Sequence, residues 1–154
     1  MNKQLLAATT AAILSTTALA DFEGIVTRVI DGDTIEVLTD DKDRHRVRLM
    51  CIDAPETKQP YSNASKQKLN DFVGGKYVKI VESPDNDPYG RVLGTVNLAG
   101  SNVNFRMVQS GMAWDYVRFT CGANWAKAEA AARKAKRGLW KTDNPLPPWE
   151  YRNK

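Results

Sequence analysis

Cysteine, histidine and long apolar runs are all scarce in this chain. Its 154 residues hold two cysteines, Cys51 and Cys121, and one histidine, His45. A chain of this length can bury a core without metals or disulfides to fold it. There is no internal repeat, no coiled-coil pattern and no compositional bias toward disorder or collagen. Charge of one sign is not abundant either. A formal net charge of +4 is too small to argue for a nucleic-acid partner by itself. After residue 20 no apolar run reaches spanning length, so no membrane anchor is expected in the rest of the chain.

The first twenty residues differ in character from the others. Asn2-Lys3 is a short basic start, Leu5 to Leu19 is uncharged, and Ala18-Leu19-Ala20 is a small-x-small end before Asp21. That is the layout of a cleaved secretory signal peptide, which places the protein outside the cytoplasm, secreted or periplasmic. A membrane anchor is the other reading, but threonine and serine dilute the run and it is short. No cysteine comes just after the cleavage point, which argues against a lipid anchor. In an oxidising compartment Cys51 and Cys121 would form one disulfide, with two independent buried thiols as the alternative.

The remainder reads as short strands with helices after the third strand and at the end. Phe22 to Ile30, Thr34 to Leu38, His45 to Ile52, Lys76 to Glu82 and Arg91 to Leu98 alternate in the manner of strands. Asp31-Gly32 between the first two is a hairpin signal. In the third strand Val47, Leu49 and Cys51 share one face, and Arg46 and Arg48 the other. Ser62 to Val73 is helical, with Ala64, Leu69, Phe72 and Val73 inward and Gly74-Gly75 ending it. Asn102 can cap a helix through Gln109, and Asn124 a longer one through Arg137 with Trp125, Ala128, Ala132 and Ala135 as its stripe. Thr142 to Lys154 is a proline-rich tail, expected to be extended. The expected fold class is a β-barrel with helices: five strands, OB-type, with about three helices. Alternation alone leaves an ordinary α+β sheet open. One domain is expected over residues 21–141, with the tail at 142–154.

Three clusters carry chemistry. Asp31-Gly32-Asp33-Thr34 is either a tight turn or a turn that offers the Asp33 carboxylate to a metal. Asp53-Ala54-Pro55-Glu56 puts two acids around a proline turn, with Arg48 five residues before Asp53. A solvated loop is the bland alternative. Two acids and a cation near one strand end, though, suit a site that handles both a metal and an anion. Asp87-Pro88-Tyr89-Gly90-Arg91 gives Arg91 backbone freedom at a loop–strand junction, with Tyr89 beside it. Arginine's planar fork can donate paired hydrogen bonds to a phosphate, which lysine cannot. His45, mid-strand among arginines, reads as a surface residue.

Together the clusters resemble the staphylococcal nuclease family. The matching residues are Val29 to Thr34, Arg48-Leu49, Asp53 to Lys58 and Tyr89-Gly90-Arg91, in the family's order and spacing. Val103 to Ala113 and Gly138-Leu139-Trp140 extend the likeness over about residues 22–141. The resemblance implies an enzyme, a Ca²⁺-dependent nuclease that hydrolyses DNA and RNA to 3′-phosphorylated products. Asp33, Asp53 and the carbonyl of Ala54 would hold the Ca²⁺. Glu56 would be the general base, and Arg48 and Arg91 would grip the phosphate and stabilise its developing charge. Tyr89 and Tyr116 would bind the nucleotide. A monomer is expected. The chain departs from the pattern at Ala54, where threonine is frequent, and at Pro88, where lysine is common. The cysteine pair and the proline-rich tail also lie outside the pattern. A non-catalytic OB-type module that binds single strands is the alternative function. Such domains usually lose the acids or arginines that are all present here.

Overall fold

The computed structural model describes residues 21–154 apart from Asn86. The expected signal peptide over residues 1–20 lies outside the described residues. The chain runs β1 (Phe22–Val29), β2 (Thr34–Leu38), β3 (Arg44–Leu49), β4 (Ile52–Asp53) and α1 (Ser62–Val73). It continues with β5 (Tyr77–Glu82), β6 (Val92–Leu98), β7 (Ser101–Asn102), α2 (Val103–Gln109), β8 (Trp114–Asp115) and α3 (Ala123–Lys134). A 3-10 turn, Gly138–Lys141, and a last short helix, α4 (Pro148–Tyr151), complete it.

Five strands close into the expected OB-type barrel. They are ordered β3-β2-β1-β5-β6, and β6 returns to pair in parallel with β3. Closure follows from the alternation: Ile35, Val37, Val47, Leu49, Ile80 and Val96 are all fully buried, and curling the sheet covers that apolar face while removing its edges. The closing seam is stitched by Asn104 of α2. Its side-chain nitrogen donates to the carbonyls of Met50 and Gly94, and its oxygen accepts from Val96 N–H, all at 3.0 Å. This satisfies a fully buried amide that would otherwise cost stability.

Several elements differ from the sequence expectation for identifiable reasons. The third strand ends at Leu49 rather than Ile52, because Cys51 takes a left-handed φ of 69° and turns the chain. Cys51 is bonded to Cys121, with Cα atoms 5.9 Å apart and a sequence separation of 70. Closing a loop of that order is worth about 4 kcal/mol in the chain-entropy account. In α1 the inward residues are Ser65, Leu69 and Val73, and Ala64 is exposed. Ser65 is drawn in because its hydroxyl donates to the Met112 carbonyl at 2.6 Å. Asn124 does not cap α3: the cap is Gly122, at φ 104°, without a side-chain hydrogen bond. Asn102 does cap α2, accepting from Phe105 N–H at 3.0 Å. The tail is not extended throughout, since Pro148 opens a helical turn that the residue's fixed φ suits.

Candidate active site

The site is built at one end of the barrel, where strand register aligns residues distant in sequence. Thr34 pairs with Arg48 across β2 and β3, and Arg48 pairs with Leu93 across β3 and β6. Directly paired residues point to the same side of a sheet, as do residues two apart. Arg46, Arg48, Leu93 and Arg91 therefore share one face, and all line a single cleft of about 880 Å³. Asp33, Asp53, Ala54, Glu56, Tyr89 and Tyr116 line the same cleft. All eight residues expected to act in catalysis, metal binding or substrate binding are thus brought together. His45 is not among the lining residues, and its ring packs 4.4 Å from Phe22.

Gly32 has a different use from the one its turn motif suggests. A Cβ there would collide with Ser65 Oγ and sit 2.7 Å from Ala54 Cβ. Glycine is required because the Asp31–Asp33 turn presses against α1 and the Asp53–Glu56 loop. That contact lets Asp33 Oδ2 accept the Ala54 N–H at 2.8 Å, which fixes two of the three expected metal-binding residues relative to each other.

Between the two aspartates lies Arg48, only 8% exposed. Its Nε is 3.2 Å from Asp33 Oδ1, its NH2 is 3.2 Å from Asp53 Oδ1, and its NH1 donates to the Leu49 carbonyl. Three of its five N–H groups are committed to holding the site together, which leaves two for a ligand. Asp53 is 1% exposed and anchored by the β4–β8 pairing opposite Trp114. Burial raises its carboxyl above the ordinary value, against the pull of Arg152 and Arg48. Asp31 is pushed up to about 6 by burial and then by the neighbouring Asp33 carboxylate. Its own carboxylate caps the turn by accepting Asp33 N–H at 3.0 Å.

Just before β6, the strand neighbouring β3, Arg91 is organised differently. Its Nε and NH2 donate to the two Asp87 oxygens at 3.0 and 2.8 Å, a bidentate pair within one loop. The pair holds Asp87 below the usual carboxylate value and Arg91 above the usual guanidinium one. Three N–H groups stay available to a phosphate. Gly90, at φ 70°, makes the turn that sends Arg91 back into the cleft, and the Tyr89 ring lies 5.3 Å from the guanidinium. Tyr89 is 82% exposed, so its face is free for a base. Tyr116 is placed near Asp53 by its N–H, which donates to the Cys51 carbonyl at 2.9 Å. The Cys51–Cys121 disulfide ties down the chain on both sides of this contact.

Sequence reading missed Arg152. Its NH2 is 2.9 Å from Asp53 Oδ2, and its NH1 lies 3.3 Å from Asp53 Oδ1 and bonds Glu56 Oε1 as well. A sequence separation of 99 divides it from Asp53, and nothing local to the tail signals the contact.

The donor set fits a hard cation. Two carboxylates and a carbonyl are all-oxygen, the chemistry calcium prefers, and their acid pair already attracts two guanidinium cations. Among the described residues no three His, Cys, Asp or Glu side chains cluster as a self-sufficient metal cage. Two carboxylates and one carbonyl do not fill a calcium shell of about six to eight oxygens, so water and substrate oxygen would complete it.

Residues 46–142 match the family described as Staphylococcal nuclease homologue. An "Uncharacterized endonuclease" of Escherichia coli is 43% identical over 136 residues, 88% of each chain. A "Micrococcal nuclease" of Shigella flexneri is 39% identical over 157 residues, covering 95% of this chain and 89% of that one. The "Staphylococcal-like nuclease CAN1" of Arabidopsis thaliana is 38% identical over 125 residues, 81% of this chain and 38% of its own.

Proposed function

Since this chain belongs to the staphylococcal nuclease family and is a nuclease, we propose that it is a secreted, monomeric, calcium-dependent enzyme cutting both DNA and RNA to 3′-phosphorylated ends. The observation that carries this reading is the convergence of Asp33, Asp53, Glu56, Arg48 and Arg91 on one cleft. Two buried acids share the cleft with an arginine that keeps unused donors. A phosphodiester needs that polarity, with a cation near one oxygen and hydrogen-bond donors near the others.

Asp33, Asp53 and the Ala54 carbonyl would hold Ca²⁺, which when bound supplies Lewis acidity and a template for the phosphate. The remaining chemistry belongs to the chain. Glu56, partly exposed at the cleft edge, takes the proton from the attacking water. The water oxygen bonds to phosphorus as the bond to the 5′-oxygen breaks, leaving phosphate on the 3′ side and a 5′-oxygen that takes a proton from solvent. Arg91 donates its free N–H groups to the equatorial oxygens, where negative charge accumulates. Arg48 adds its two remaining donors from the barrel side while keeping the aspartates in place. Tyr89 and Tyr116 present ring faces to the bases, a contact indifferent to the sugar. The leader-like residues 1–20 and the Cys51–Cys121 bond support export to an oxidising compartment. No described helix is long and apolar enough to cross a membrane.

The test is digestion of denatured DNA and of RNA with Ca²⁺ or with excess chelator, followed by end-group analysis. Cleavage of both polymers with calcium, none with chelator, and 3′-phosphate ends are expected. Undiminished cutting in chelator removes calcium from the reading, and 5′-phosphate ends reverse the assigned leaving group.

A further inference from the structure

The C-terminal segment makes two contacts in the cleft that resemble those of a ligand. Arg152 places a guanidinium across both oxygens of Asp53 and onto Glu56. One turn earlier, Trp149 lies flat on Tyr116, with ring centroids 5.5 Å apart and planes 19° from parallel. The first contact puts a cation on the oxygens assigned to the metal and the base. The second puts an aromatic face on a ring assigned to the nucleotide. One short helical turn, α4, delivers both.

The segment is tethered so that these contacts form readily. Gln59, 4% exposed, donates from Nε2 to the Leu146 carbonyl at 2.6 Å, while its Oε1 accepts the Glu56 N–H at 2.9 Å. One buried amide thus fixes both the Glu56 loop and the root of the tail. Trp149 also packs beside the Trp114, Leu139 and Trp140 cluster. Beyond that anchor only Glu150 and Tyr151 separate Trp149 from Arg152, whose side chain is 40% exposed. A tethered group competes at an effective concentration on the millimolar scale for short links. A divalent cation and a guanidinium repel at the same carboxylate, so both cannot hold Asp53 Oδ2 together.

We propose that residues 146–152 form a built-in competitor for the cleft, with Arg152 on the cation-binding carboxylates and Trp149 on the Tyr116 platform. This rests on the assignment of Asp53 as a calcium ligand. Calcium and a nucleic-acid strand each displace the segment, so binding of one eases binding of the other, and release of the segment must raise calcium affinity reciprocally. The segment makes the nuclease demand calcium and substrate together, which holds the free enzyme in a closed form.

Two measurements decide it, both on the purified protein with Ca²⁺ alone. Calorimetric titration should give Arg152→Ala a Kd about fivefold lower than wild type, the scale set by losing a partly exposed ion pair. Amide hydrogen exchange over residues 146–152 of the wild-type protein should speed up when calcium is added. A Kd that is unchanged or higher in Arg152→Ala overturns the proposal, as does exchange that slows or stays constant. If neither protein binds calcium, the calcium assignment itself falls and the competitor with it. Equal Kd values in two binding-competent proteins leave the calcium assignment standing and remove only the competitor.

Discussion

The two walls of the cleft are held by different physics. On the barrel wall Asp33, Arg48 and Asp53 are buried, interlocked through 3.2 Å ion pairs and backed by strand register. On the adjoining loop wall Arg91 and Asp87 pair within a single loop, and Tyr89 projects into solvent. A charge taken out of water is costly unless paired, so the barrel wall is rigid by necessity. The loop pair is confined to one short turn and is not backed by strand register, so it can yield to a strand of nucleic acid. Metal-binding geometry needs the first kind of support, and substrate entry needs the second.

The sharpest way to break this contrast is to remove one arginine from each wall. Arg91→Ala should slow turnover by roughly 10³-fold, the scale of a transition-state arginine. Its folding stability should change little, because the Asp87 carboxylate left behind still accepts the backbone N–H groups of Tyr89 and of position 91. Steady-state cleavage assays and thermal melts check both halves, and a variant within about fivefold of wild-type turnover takes Arg91 off the catalytic list. Arg48→Ala should destabilise the fold by about 3 kcal/mol, since it strands two buried carboxylates. Denaturant unfolding in chelator reads this directly. A loss below about 1 kcal/mol there would mean the barrel wall does not depend on its central cation.

A smaller effect separates the walls by pH. Asp31, on the barrel wall, has a folded value of about 6, above the ordinary 3.8. The folded protein therefore binds more protons between those values, and stability declines as pH rises from about 4 to about 6. Asp53 is shifted the same way. Asp87, on the loop wall, is shifted downward, so its contribution is lost only as pH falls below the ordinary carboxylate range. In chelator, melting temperature should fall between about pH 4 and about pH 6. A rising melting temperature across that interval would contradict the assigned burial of Asp31.

Much of this architecture could be read locally. Strand alternation at Ile35-Val37 and Val47-Leu49 carried the barrel, and the motif spacing of Asp33, Arg48, Asp53, Glu56 and Arg91 carried the cleft. Misreadings occurred where a distant partner outweighed local preference. Ser65 turned inward in place of Ala64 because Met112 offers an acceptor. The third strand stopped early because Cys51 is drawn into a turn and bonded to Cys121. Gly32 looked like a turn glycine and proved to be a contact glycine against Ser65.

By itself the sequence determined which residues alternate, which acids flank turns and which glycine frees Arg91, because propensity and periodicity act over a few neighbouring residues. Tertiary structure alone decided that β3 and β6 meet in parallel, that Arg48 sits between two aspartates, and that Arg152 reaches Asp53 across a sequence separation of 99. Those contacts depend on barrel closure and on the anchoring of the tail by Gln59. Both are settled by the summed burial of many side chains, and no short segment encodes them.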